Sequence, residues 1–268
     1  MEDFLGIFEQ SVILKGARGL ISGMSQDSSL GTQKCTLPPP CPRLRVGAVV
    51  LAAGTASRMG SRPKCLLQKD GQSLVTHLLT SLEQAGIDHT VLVLGQYAPA
   101  IQANAMAAPL KALHTVLNPK PAQGQNSSLH LGLAKVQALK SDWVFDWIMV
   151  CLADQPLITP QDLKDLIAAV KHAPSNIHML QPTVAGQPGN PVMLSQRAVS
   201  ELLAQGSKVE ANNLDALPGG KEWRRQNPEH FMAWPTDNPH YTVDMDSPED
   251  IDALYSRFGI QLVWPQID

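Results

Sequence analysis

The stretch Leu51-Ala52-Ala53-Gly54-Thr55-Ala56-Ser57-Arg58-Met59-Gly60, with Lys64 just beyond, has the residue types needed to hold an anion. Small residues leaving a buried strand let the main chain approach a ligand closely. Their successive N–H groups can face phosphate oxygens, and Arg58 and Lys64 add two cations to the same loop. The pattern is neither a Walker A loop nor G-x-G-x-x-G. By spacing alone it is equally compatible with a plain β–α loop carrying solvated charges. A second stretch, Val150-Cys151-Leu152-Ala153-Asp154-Gln155-Pro156, puts an acid at the C-terminal end of an apolar run, where α/β sheets bind their ligands. Pro156 stops that run from donating further ladder hydrogen bonds. A third, Val243–Asp250, carries Asp244 and Asp246, which point the same way if the chain there is extended. Ser247 and Asp250 read as helix-capping residues. A fourth, Pro121–Leu129, places Gly124 where the backbone can come close to a ligand and Ser127-Ser128 at a helix start, where capping is one role open to them. The eight histidines are scattered without metal-ligand spacing. No G-x-S-x-G elbow occurs, so hydrolase chemistry is not indicated.

These stretches need a frame, and the pattern around them supplies one. Val46–Ala52 is a continuous small apolar run, as in a parallel strand buried on both faces. Ser73 caps an expected helix through Ala85, with Leu74, Leu78 and Leu82 on one face and Gly86 as the stop. Further strands are expected at Thr90–Leu94, around Thr115–Leu117 and at Trp147–Ala153, with a helix over Ser127–Leu139. Thr159-Pro160-Gln161-Asp162 combines an N-cap, a proline at the first helical position and an acid three residues after the cap. Ser247-Pro248-Glu249-Asp250 repeats it before a final helix. The alternation predicts an α/β, Rossmann-like, doubly wound and mainly parallel sheet. Residues 1–44 read as an N-terminal extension, with apolar residues that suit a short helix followed by a Pro-rich linker through Pro38-Pro39-Pro40-Cys41-Pro42. The domain is then 45–268. Residues 205–240, rich in Pro, Gly, Asn and charge, read as a loop-rich insertion or lid.

Composition narrows the partners. A formal net charge of −3 carries no basic excess, which argues against a nucleic-acid binder. Cys35, Cys41, Cys65 and Cys151 contain no C-x-x-C pair, against a zinc or thioredoxin-like motif. Cys151 suits a small core position. No apolar run reaches membrane-spanning length. The start Met1-Glu2-Asp3 lacks a basic n-region before a continuous apolar stretch, against a secretory signal. The expected setting is reduced and cytoplasmic.

L-A-A-G-x-x-x-R-M-G followed by Lys64 resembles the nucleotide-binding signature of the MobA-like NTP transferases, most of all the molybdenum cofactor cytidylyltransferases. The likeness runs from about Val46 to Phe258, and the other three stretches support it. The resemblance implies the nucleotide-diphospho-sugar transferase type of fold. It implies nucleotide contacts from Leu51, Ala52, Ala53, Gly54, Arg58, Lys64, Gly124, Ser127 and Ser128. It also implies a Mg²⁺ held by Asp154 and Asp244, with Asp246 the runner-up for the second carboxylate. Arg58, Lys64 and Asp154 are the expected catalytic residues. The implied reaction moves CMP from CTP onto the phosphate of molybdenum cofactor and releases pyrophosphate. L-A-A-G resembles the cytidylyltransferase version of the loop, L-A-G-G the guanylyltransferase version. Gly189-Asn190-Pro191 corresponds to an acceptor segment G-H-P-V, with Asn190 in place of the family's His. The later G-D-x-G-A-R pattern is replaced by Gly206-Ser207-Lys208-Val209-Glu210-Ala211. These departures keep another phosphorylated acceptor open, such as a sugar or polyol phosphate. They also keep open a non-catalytic nucleotide-binding accessory for molybdoenzyme maturation. The implied partners are an NTP, CTP favoured, a phosphorylated acceptor, and a molybdoenzyme or its maturation chaperone.

Overall fold

Val46–Ala52 forms the central strand because both of its faces have a layer to meet. Ala48, Val50 and Ala52 point into one apolar cluster and Val49 into another, the two-residue period of a strand covered on both sides. The computed structural model describes residues 44–54, 59–60, 62–87, 89–139, 145–209 and 217–265. These fall in one compact unit, Pro42–Asp268. Arg58 lies outside the described residues, as do the expected N-terminal helix and the Pro-rich linker.

In chain order the elements are β1 (Val46–Ala52), β2 (Gln68–Lys69), β3 (Gln72–Ser73), α1 (Leu74–Gln84), β4 (His89–Leu94), α2 (Ala98–Ala105), β5 (Ala112–Leu117), α3 (Gln125–Ala138), β6 (Trp147–Leu152), α4 (Pro160–His172), β7 (Met179–Val184), β8 (Gln187–Pro188), β9 (Val192–Ser195), α5 (Gln196–Gly206), α6 (Gly220–Gln226), β10 (Phe231–Pro235) and α7 (Pro248–Phe258). The main sheet has the order β10-β7-β9-β6-β1-β4-β5, with β8 paired to β7. β1 is parallel to both β4 and β6, and β4 to β5. The doubly wound, mainly parallel sheet expected from the alternation is therefore present. Two strands run against it: β9 is antiparallel to β6 and to β7, and the short β8 is antiparallel to β7. Helices α1, α2 and α4 supply Leu78, Leu82, Ile101, Leu163 and Leu166 to one face. Helices α3 and α5 supply Leu133, Val136, Val199 and Leu202 to the other. Each fully buried aliphatic side chain of this kind contributes about 1.5–3 kcal/mol.

The caps read from sequence are formed. Ser73 accepts from Thr76 N at the start of α1. Thr159 and Asp162 close a capping box on α4. Asp250 accepts from Ser247 N at 2.7 Å at the start of α7. Two expectations need correction. Helix α3 begins at Gln125 with Gly124 as its N-cap, so Ser127 and Ser128 sit inside the first turn and do not cap it. The described part of the segment 205–240 is not a loop-rich lid. It contains α6 and the edge strand β10, which pairs with β7 in parallel. Trp223, fully buried, packs into the sheet's second face. A short strand with two prolines at or near its ends and a helix of about two turns leave little periodicity to read.

Candidate active site

β1 lies between β4 and β6, and the chain crosses over in opposite directions from it, so the carboxyl ends of β1 and β6 open a crevice. The crevice holds a cavity of about 540 Å³. β1 delivers Leu51 and Ala52 to its wall, followed by Ala53 and Gly54. β6 delivers Leu152, Ala153 and Asp154. Lys64, on a single 3₁₀ turn over Lys64–Leu66, comes from one side, Gly124 and Ser128 from the start of α3, and Asp244 and Asp246 from the segment before α7. Residues far apart in the chain thus converge where the sheet topology alone would place a ligand. Gly95, just past β4, makes part of this possible: a Cβ there would lie 2.7 Å from the Ala53 carbonyl oxygen.

Charge is concentrated on one wall. Lys64 Nζ donates to Asp246 Oδ1 at 2.8 Å and stands 3.9 Å from Asp154 Oδ2. The Asp154 side chain is 37% exposed, so it can reach a ligand in the cavity. Burial pushes its carboxyl above the usual range; Lys64 pulls against that shift and Asp246 adds to it. Asp244 opens to solvent on one side, yet its carboxyl is raised to about 6 by partial burial, then by Asp154 and Asp246, against Lys64. Among the described cavity-lining residues, three carboxylates share one ammonium. Asp154 and Asp244 therefore stand under-neutralised. Hard oxygen donors in that state fit a Mg²⁺-type ion, which takes one or two carboxylates and completes its shell with water and phosphate oxygens. No group of three or more His, Cys, Asp or Glu side chains that could cage a metal occurs among the described residues. Cys65 also lines the cavity. Burial, then Asp154, pushes its thiol up to about 12, which leaves it a poor nucleophile.

The two serines have separate tasks. Ser127 Oγ donates to the Gly124 carbonyl at 2.8 Å. Asn118 Nδ2 donates to both Ser127 Oγ and Ser128 Oγ at 2.9 Å. Of the two, Ser128 lines the cavity and Ser127 does not. Asn118, buried just past β5, is a residue the sequence reading missed. An amide nine or ten residues before its partners carries no periodic signature, and followed by Pro119 it reads as a turn. Gly189, Asn190 and Pro191 do not line the cavity. They pack on Tyr241, whose carbonyl accepts from Asn190 N at 2.8 Å.

A cavity at the carboxyl end of the central strand of such a sheet, lined by Leu51–Gly54 and by carboxylates from two later segments, belongs to an α/β fold of the nucleotide-diphospho-sugar transferase type. The chain belongs to the MobA-like NTP transferase domain family, whose model matches residues 48–244. Among curated proteins it is 33% identical over 138 residues to nicotine blue oxidoreductase from Paenarthrobacter nicotinovorans, covering 52% of this chain and 60% of that one. It is 39% identical over 87 residues to CMP-5'-(3-aminopropyl)phosphonate synthase from Streptomyces rubellomurinus, covering 30% of this chain and 14% of the relative. The chain thus spans under two thirds of the length of these curated relatives. Among solved structures it resembles Rv0371c from Mycobacterium tuberculosis, with a TM-score of 0.60, 25% identity, and coverage of 80% of this chain and 98% of that one. The same protein in complex with manganese matches with a TM-score of 0.54 at 25% identity, covering 80% of this chain and 99% of that one. No helix among the described residues is long and apolar enough to cross a membrane.

Proposed function

We propose that the protein is a divalent-cation-dependent nucleotidyltransferase. It moves a nucleoside monophosphate, CMP in preference, from an NTP onto the phosphate of a small acceptor. The observation that carries this reading is the convergence of Leu51–Gly54, Lys64, Asp154 and Asp244 on one cavity at the carboxyl ends of β1 and β6. In the reaction, an acceptor phosphate oxygen attacks the α-phosphorus in line and pyrophosphate leaves. The acceptor is already an anion, so no strong general base is needed; the task is to bring two anions together. The turn after β1 presents main-chain N–H groups to the phosphates. Lys64 meets the charge that develops on the α-phosphate, and Arg58 holds the β- and γ-phosphates. Asp154 and Asp244 would hold a divalent cation such as Mg²⁺, which would supply neutralisation of phosphate charge. Lys64 already takes Asp246 as its hydrogen-bond partner, which favours Asp244 as the second metal carboxylate. The manganese complex of Rv0371c supports a divalent ion in this fold.

Ser128 and Gly124 flank the side of the cavity proposed to take ribose and base, with Ser127 behind them holding the turn. Gly189, Asn190 and Pro191 are proposed to border the acceptor. Molybdenum cofactor leads among acceptors through the family resemblance, and a molybdoenzyme or its chaperone then follows as partner in the cytoplasm. The phosphonate synthase relative supports CMP as the transferred group. A relative named as an oxidoreductase makes an activity assay the deciding test, since one fold hosts several chemistries. The assay incubates the full chain with each NTP, Mg²⁺ and either molybdenum cofactor or a panel of sugar and polyol phosphates, reading pyrophosphate and dinucleotide product. CTP with molybdenum cofactor is expected to give the fastest release. Ala53→Gly is expected to narrow the CTP-over-GTP gap, because one methyl in a pocket is worth about 1–3 kcal/mol of discrimination. A dominant guanylylated product from the wild type would refute the cytidylyl preference. Tight NTP binding with no turnover on any acceptor would refute the enzyme.

A further inference from the structure

Asp162 is a carboxylate 3% exposed, and it carries more donors than capping α4 requires. Its Oδ2 accepts from Thr159 N and Thr159 Oγ1, both at 2.8 Å, which is the cap itself. The same oxygen accepts from His240 Nδ1 at 2.9 Å, and Oδ1 accepts from Asn238 Nδ2 at 2.6 Å. The Tyr241 hydroxyl donates to the Asp162 main-chain carbonyl at 2.8 Å. Three side chains of the segment Asn238–Tyr241 are therefore tied to one residue at the start of α4.

Tyr241 is buried, with its ring edge-on to Trp234. Its own carbonyl accepts from Asn190 N at 2.8 Å and from Gln155 Nε2 at 3.4 Å. A Cβ on Gly189 would lie 2.6 Å from that carbonyl oxygen, so the 189–191 turn seats there only with glycine at that position. Gln155, also buried, directly follows Asp154, and Asp244 comes three residues after Tyr241. The two cavity carboxylates thus enter from segments that are hydrogen-bonded to each other through Tyr241, and Tyr241 is anchored on Asp162.

We propose that Asp162 and Tyr241 form a positioning node: it fixes Asp244 beside Asp154 in the cavity and so sets the affinity of the pair for a divalent cation. This rests on the metal reading proposed above. The physical reason is rigidity. A buried carboxylate is tolerated when its lone pairs are used, and here they are used by the segment that leads into Asp244. Partners behind a metal's direct ligands commonly change metal affinity about 10–100-fold when removed. A carboxylate that only capped α4 would, on removal, lower the melting temperature and leave cation affinity unchanged.

The test titrates the full chain with Mn²⁺, reading free ion by electron paramagnetic resonance, with metal-free CTP binding and melting temperature measured in parallel. Asp162→Asn is expected to weaken Mn²⁺ binding about tenfold while metal-free CTP affinity stays unchanged. The double variant Asn238→Ala, His240→Ala leaves the α4 cap whole, so it reports the same effect even if Asp162→Asn does not fold. Asp154→Asn serves as the reference that abolishes Mn²⁺ binding. Unchanged Mn²⁺ affinity in the folded variants overturns the node and leaves the metal reading standing. A matching loss of CTP affinity assigns Asp162 to general stability and likewise overturns the positioning role. No Mn²⁺ binding by the wild type overturns the metal reading and the node together.

Discussion

Asp154 and Lys64 show how a residue reading gains content from geometry. In sequence they are an acid after an apolar run and a lysine after a small-residue loop. In space the ammonium stands 3.9 Å from the Asp154 carboxylate and 2.8 Å from that of Asp246. Burial raises the Asp154 carboxyl, so the fold disfavours its charge while the proposed chemistry requires it. Asp154→Asn keeps the shape and removes the charge. The expected outcome is a loss of turnover of about 10²–10³-fold, with a melting temperature equal to or slightly above that of the wild type. Pyrophosphate release at limiting and saturating Mg²⁺, alongside a thermal melt, checks both halves. Near-normal turnover at limiting Mg²⁺ would remove Asp154 from the metal site. The two serines illustrate the limit of residue-scale reading: their hydroxyls looked alike as caps, yet Asn118 and the Gly124 carbonyl give them different jobs.

At the scale of elements, the strands with long apolar runs were legible and the late ones were not. β1, β4 and β6 are buried on both faces, so nearly every residue in them is apolar and the run stands out. Helices α1 and α4 carry caps whose chemistry is local, so four residues suffice to find their starts. β10 is an edge strand of five residues, half-buried to exposed, and it begins and ends beside 3₁₀ turns and prolines. Nothing local marks it as part of the main sheet. Trp223 on α6 is the residue that ties this region down. It is fully buried, and its Nε1 donates to Glu201 Oε2 on α5 at 3.0 Å. Trp223→Ala is expected to destabilise the protein by about 3–5 kcal/mol, seen as a lower midpoint in urea. If residues 217–240 were a detachable lid, the midpoint would instead stay near the wild-type value.

For the whole molecule, the site exists because the crossover at β1 leaves a crevice that the later segments can reach. Lys64, Asp154 and Asp244 belong to three separate stretches of chain, and a third apolar cluster holds those stretches together. Met59 and Leu67, Leu157, and Met245 with Leu254 and Leu262 belong to one buried cluster. Met245 lies between the two aspartates, so its burial fixes the segment that carries them. Among the described residues, every strand of the main sheet begins after Arg45. Removing residues 1–44 is therefore expected to leave the melting temperature and CTP affinity close to those of the full chain. A melt and a CTP titration of the truncated protein check this. A large drop in either would show that the extension belongs to the domain.

The sequence by itself determined which residues are fit for phosphate and metal chemistry, the α/β class, and the starts of the capped helices. Each of these depends on residue type and on neighbours within about one turn or one strand. The tertiary structure alone decided that β9 runs antiparallel, that β10 forms an edge of the sheet, that Asp246 pairs with Lys64, that Asn118 holds both serine hydroxyls, and that Asn238 and His240 meet on Asp162. Those outcomes depend on contacts between residues distant in the chain, whose pairing is set by packing on shared faces and not by any local period.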